Sequence, residues 1–255
     1  MDITANKWLR RILPLVIPVF ALLLWEILCD TGVISPTTLP APTNVIKTGI
    51  TMIGTGELTS SLMISLFRAL AGFLIGGTIG FLLGVLNGFF NLSNLLFDSS
   101  VQMIRNIPHL ALIPLIILWL GIGESSKIVL VALGSLFPIY INTYHGIRSV
   151  DKDLVEMGRS YGLNGLSLFA KVIFPGALSS ILVGVRYALG VMWTTLIVAE
   201  TIASNSGIGY LSMNAREFMQ LNVIILCILI YAVLGKVSDL IAKFFENKWL
   251  RWSRT

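Results

Sequence analysis

Charged side chains are what this 255-residue chain has least of. Asp, Glu, Lys and Arg make up 12% of it, about half of the roughly 25% usual in a soluble domain. Hydrophobic residues make up 55%, and mean hydropathy is +0.85, which excludes a water-soluble globule. Cysteine and histidine are scarcer, at two residues each. Cys29 and Cys227 lie far apart, at or within apolar runs, and offer neither a disulfide framework nor a metal spacing. His109 and His145 have no Cys or acidic residue near both, so no metal site is expected. Signatures of nucleotide and hydrolytic chemistry are missing as well. No G-x-x-x-x-G-K-[ST] occurs (Gly235-Lys236 is followed by Val237), and there is no H-E-x-x-H or G-x-S-x-G. Carboxylates are almost absent from the apolar runs, which leaves an ion-coupled relay little to work with. No strong internal repeat relates the two halves, as many secondary transporters would require. If this chain moves a solute, the energy comes from a partner.

What is present is a series of apolar runs. Residues 12–29, 69–90, 107–120, 128–147, 177–199 and 223–240 each approach the roughly 20 residues that cross a bilayer as a helix. The third is short unless residues 101–106 join it, and Pro108 and Pro114 mark it as kinked or broken. An all-α integral membrane protein with about six transmembrane helices is expected. The first run follows basic residues as a signal peptide would, but lacks a small-x-small cleavage site, so it reads as an uncleaved first span. Basic residues between spans gather on the side of the two termini: Lys7, Arg10, Arg11, Arg148, Lys152, Arg159, Lys171 and the basic tail. Lys47, Arg68, Lys127 and Arg216 fall on the other side. By the positive-inside rule both termini are cytoplasmic. The expected organisation is a cytoplasmic stretch 1–11, a first span 12–29 and an extracytoplasmic segment 30–68. A five-helix core 69–242 with a cytoplasmic loop 150–176 follows, then a basic tail 243–255 with Trp249 and Trp252 at headgroup depth.

Within this frame three patterns carry information. Gly72, Gly76, Gly80, Gly84 and Gly88 recur every four residues. They put a smooth groove on one helical face over about 24 Å at 1.5 Å per residue, suited to close helix packing in lipid. Charges inside or beside spans form the second pattern. Glu26 reads as a carboxylate reaching the interface, and Lys236 and Asp239 are spaced to pair across one turn. Arg186 reads either as a snorkelling residue or as a wall of a solute pathway, with Glu200, at the end of the same run, beside it as the second pathway candidate. The third is Asp151–Pro175, the one long polar interruption in the last two thirds of the chain. Its charges keep it out of hydrocarbon, where each costs roughly 2.5–3.5 kcal/mol. Leu154, Met157, Gly158 and Tyr161 recur at helical spacing as a narrow apolar stripe. Gly162 and Gly165 then break the helix, and Pro175-Gly176 closes the segment before the next apolar run. The spacing predicts a rigid elbow outside the membrane, presenting a surface for a partner to grip.

Glu156, then Gly162 six residues on, then Phe174-Pro175 resemble the EAA loop of binding-protein-dependent ABC transporter permeases. Met157-Gly158 stand where that loop has two alanines, and Phe174 where it has an aliphatic residue. Leu39-Pro40-Ala41-Pro42, Ser65-Leu66-Phe67-Arg68, Arg105-Asn106-Ile107-Pro108 and Ala199-Glu200 with Gly207-Ile208-Gly209 follow in order. Together they are similar to the nitrate/sulfonate/taurine branch of that family, from about Leu39 to Trp252. The resemblance implies a type I ABC importer-like fold and a homodimeric pore in a prokaryotic cell membrane. It places the elbow residues Leu154, Glu156, Met157, Gly158, Arg159, Tyr161, Gly162, Leu163 and Pro175 at a cytoplasmic ATPase subunit, with ATP and magnesium bound there and no cofactor on this chain. A solute-binding protein would deliver substrate from outside. Rival readings are an ATPase-independent channel or scaffold, and a membrane-embedded enzyme. The structured elbow and the absence of a pore-lining charged ring speak against a channel, and no paired catalytic groups are visible for an enzyme.

Overall fold

The computed structural model describes residues 7–250; they are helical almost throughout, with no strand among them. Eleven α-helices follow one another: α1 Lys7–Asp30, α2 Pro42–Gly54, α3 Glu57–Phe89, α4 Asn91–Arg105, α5 Ile113–Leu120, α6 Glu124–Arg148, α7 Lys152–Ser160, α8 Gly165–Leu168, α9 Phe174–Ala203, α10 Ile208–Glu217 and α11 Leu221–Trp249. Among the described residues four helical stretches are long and apolar enough to cross a membrane: α3, α6, the run Gly165–Ala203, and α11. A fifth is a broken pair, Ser99–Arg105 and His109–Leu120, bent by 78°, at the Pro108 break expected from the sequence. The first apolar run lies in α1, a 24-residue helix. Trp252, expected in the anchoring tail, lies outside the described residues.

The core is a slab of α3, α6 and α9. All five ladder glycines of α3 are buried, and they touch α6 along its length. A methyl group at Gly76 would overlap the carbonyl of Ala132, and one at Gly80 the carbonyl of Leu136. At Gly72 it would come to 2.6 Å of Val131 Cβ and at Gly84 to 2.7 Å of Thr143 Cβ. Residue numbers rise together on both helices, so α3 and α6 run parallel. Helix α9 lies antiparallel on the other side of α6, where Gly146 meets Ala177 and Ser180, and Gly184 meets Pro138 and Asn142. Lipid tails are as apolar as leucine, so association rests on close packing, and side-chain-free stripes permit it.

At four places the structure departs from, or adds to, what the sequence suggests. The helix around the glycine ladder begins at Glu57, not near Ala69, taking Ser65 and Arg68 inside it. Gly56, at φ +80°, turns the chain there and Glu57 sits favourably in the first turn. The stretch after Gly88, between two of the apolar runs, is mostly α4. Only Phe90 is extended, and Leu92, Leu95 and Leu96 continue an apolar face. Glu26 does not simply reach for water: its carboxylate accepts from Thr43 N at 3.1 Å and Thr43 Oγ1 at 2.7 Å, capping α2. Finally, Pro175 does not stop the helix. A π-turn over Phe169–Ile173 joins α8 to α9 without a break. Widening the helix by one residue accommodates a ring that lacks an N–H and would strike the carbonyl four residues back.

Candidate functional site

The elbow lies between the end of α6 and the start of α9. Asp151 caps α7, accepting from Asp153 N at 2.9 Å. At the other end Gly162 N donates to Arg159 O at 2.9 Å and Leu163 N to Gly158 O at 3.0 Å. That pair of bonds closes the helix around a left-handed residue, and Gly162 supplies it at φ +82°. Nothing lies within 4 Å of where its Cβ would be, so the backbone and not space demands glycine. Gly158 is the opposite case: it is buried, and a Cβ would come to 2.9 Å of Leu168 and 3.1 Å of Val172. The apolar stripe expected on α7 therefore divides. Val155 and Gly158 turn inward onto Leu168, Ile173 and Ala177. Leu154, Met157 and Tyr161 face away, 46%, 52% and 81% exposed. Glu156 and Arg159 are exposed beside them. Pro175 lies apart from this face, in the first turn of α9.

At the opposite end of the bundle is a buried polar cluster that the sequence did not reveal. Arg68, expected outside the membrane-embedded part, is fully buried on α3. Its guanidinium donates through Nε and Nη2 to both oxygens of Glu124, at 2.6 and 2.5 Å. Nη1 donates to Glu200 at 2.7 Å and to Ser206 O at 2.7 Å, and Nη2 to Ser206 Oγ at 2.7 Å. A longer bond from Nη1 to Ser204 Oγ, at 3.2 Å, adds to these, so every donor has an acceptor, as an arginine away from water requires. Glu200 is also fully buried, accepting from Ser65 Oγ, Gly209 N and Tyr231 Oη at 2.8, 2.9 and 3.1 Å. Gly207, at φ +99°, leaves room for this carboxylate, which any Cβ there would strike. The arrangement closes α3, α6, α9, α10 and α11 on one arginine and its two carboxylates. Glu200, expected beside a pathway, is enclosed in that clasp with no exposed surface. Ser65, Arg68, Glu200 and Gly207-Ile208-Gly209 are distant in sequence, and only their shared membership of the ordered motifs linked them beforehand.

Arg186 is placed differently. It sits on the elbow side of the clasp, facing α11, and its Nε donates to Asp239 Oδ1 at 2.6 Å. Asp239 also pairs with Lys236, the partner expected from spacing, at 3.8 Å, and with Lys243 at 3.4 Å. His109 exchanges a 2.9 Å hydrogen bond with Thr195, tying the broken fifth span to α9.

Several apolar helices of membrane-spanning length, packed through glycine and carrying a polar elbow with an exposed apolar face, define a multi-pass integral membrane protein. The comparisons narrow the class. The chain belongs to the family of binding-protein-dependent transport system inner membrane components, whose model matches residues 76–251. It is 56% identical over 253 residues to the "Putative aliphatic sulfonates transport permease protein SsuC" of Escherichia coli K12, covering 99% of this chain and 96% of that one. It is 44% identical to the Bacillus subtilis 168 protein of the same description, covering 96% of this chain and 88% of that one. The taurine transport system permease protein TauC of E. coli K12 is 31% identical, with 96% and 93% covered. These relatives place the chain in the nitrate/sulfonate/taurine branch of ABC permeases. Among solved structures, an amino acid ABC transporter crystallised with histidines matches with a TM-score of 0.61 at 20% identity, covering 78% of this chain and 97% of that one. That likeness identifies the fold as that of a type I ABC importer permease.

Proposed function

We propose that this chain is the pore-forming permease subunit of an ATP-driven importer that moves a small organic anion, first of all an aliphatic sulfonate, into the cytoplasm. The observation that carries the reading is its end-to-end similarity to a sulfonates permease. The pore is a homodimer in the cell membrane of a prokaryote, with the elbow and both termini cytoplasmic. Each copy offers Leu154, Met157 and Tyr161 to a groove on a cytoplasmic ATPase subunit, which holds the ATP and magnesium; this chain binds neither. A short helix closed at both ends passes on a rigid-body push better than a slack loop would. ATP-driven closure of the ATPase pair then swings the spans between inward- and outward-facing states. The clasp at the far end keeps α3, α6, α9 and α11 moving together. Substrate arrives on an extracytoplasmic binding protein.

The test is reconstitution of the chain with its ATPase in liposomes, adding the binding protein and labelled ethanesulfonate on its side of the membrane. Uptake should require ATP and binding protein together. Ethanesulfonate entry that proceeds without ATP would contradict the proposal and favour the channel reading.

A further inference from the structure

A cavity of about 660 Å³ opens between α9 and α11, on the elbow side of the clasp. It is lined by Val183, Arg186, Tyr187, Gly190 and Thr194 on α9 and by Gly235 and Asp239 on α11. Its size suits a small organic solute. Two features separate it from ordinary helix packing. The first is its glycines. A Cβ at Gly190 or Gly235 would find no atom within 4 Å, whereas every ladder glycine of α3 is in close contact. Glycine inside a helix costs about 0.8–1 kcal/mol against alanine, and among the described residues of this chain no helix approaches closely to offset it. The empty space is what these two residues provide.

The second is the state of the arginine. The Arg186 side chain is 38% exposed, and among the described residues its close bond is the single one from Nε to Asp239. Nη1 stays 3.8 Å from Glu246, beyond hydrogen-bonding reach. Three cations, Arg186, Lys236 and Lys243, surround two carboxylates, Asp239 and Glu246, so the local excess is positive. A guanidinium edge with donors to spare matches an oxyanion, while Val183 and Leu189 offer apolar wall to a short tail.

We infer that the Arg186 cavity is a transit site for a small oxyanion with a short apolar tail, of the sulfonate class, and that Asp239 is its resident counter-ion. The anion takes the free edge of Arg186 in competition with Asp239, which keeps it from being trapped. A site on a transport route must bind weakly enough to release. The inference rests on the permease reading and adds to it where the solute is held.

The experiment is equilibrium binding of labelled ethanesulfonate to the purified permease–ATPase complex without binding protein. Wild type should bind saturably. Arg186→Gln should weaken binding roughly tenfold or more, the effect of losing a charge-assisted contact. Asp239→Asn should tighten it several-fold by freeing the guanidinium. Gly190→Leu, whose Cβ would meet no atom within 4 Å, should abolish binding without lowering the melting temperature. If Arg186→Gln and Asp239→Asn shift affinity in the same direction, the pair is only a structural tie and the inference fails. It also fails if the wild-type complex hydrolyses ATP in response to binding protein yet shows no saturable anion binding. A wild-type chain that recruits no ATPase overturns the permease reading itself, and this inference with it.

Discussion

Arg68 and Arg186 are the same side chain on helices of the same bundle, and they are held in opposite ways. Arg68 has no exposed surface and spends all five donors on Glu124, Glu200 and Ser206. Arg186 is partly exposed and commits one nitrogen closely, to Asp239. A buried cation is stable only when every proton has a partner and a countercharge lies beside it; such a group is part of the scaffold. An arginine left with donors beside an open cavity is available to a solute. The contrast locates a closed end and a more open middle in one molecule, with the elbow at the end away from the clasp.

Breaking the closed end should have the largest effect. Arg68→Met leaves Glu200 as an uncompensated buried charge and should cost about 3–5 kcal/mol, seen as loss of folded yield and a much lower melting temperature in detergent. Adding Glu200→Gln should recover part of that loss, because the stranded charge is removed; a double variant no better than the single would place the cost elsewhere. The glycines sharpen the contrast at an intermediate scale. Gly76→Val must push α6 away at the Ala132 carbonyl and should cost about 1–3 kcal/mol or more, whereas Gly190→Ala should be neutral or slightly stabilising. Thermal denaturation of the two variants side by side reads this out. The smallest effect is expected at Arg186. Its pair with Asp239 is partly solvent-exposed on both sides, so Arg186→Gln should change stability by no more than about 1 kcal/mol, leaving the melting temperature nearly unchanged while solute binding falls.

The same contrast explains what could be read in the sequence. The apolar runs and the elbow were legible because their signals are local: hydropathy over a span, glycines at a break, charges that cannot enter hydrocarbon. Gly76 and its ladder were legible for the same reason, being a four-residue repeat. Arg68 was not, since the carboxylates that allow its burial, Glu124 and Glu200, are remote in sequence. A polar Ser65–Arg68 stretch therefore reads as loop until its partners are known. The Thr43 bonds of Glu26 are hidden from the sequence for a related reason, their partner being 17 residues away. The passage of the helix through Pro175 depends on a π-turn seated among Phe89, Phe169 and Phe174, a tertiary arrangement that no proline rule anticipates.

The central claim is that the elbow holds an ATPase subunit, and it is tested most directly by purifying the tagged chain from its native membrane in mild detergent. Mass spectrometry would identify what accompanies the wild type and Gly162→Asp, which places a charged side chain at the φ +82° position closing α7. The account predicts a stoichiometric nucleotide-binding subunit with the wild type, lost from Gly162→Asp although that variant remains monodisperse. A well-folded wild-type oligomer with no ATPase, or a Gly162→Asp chain that keeps its full complement, would contradict it.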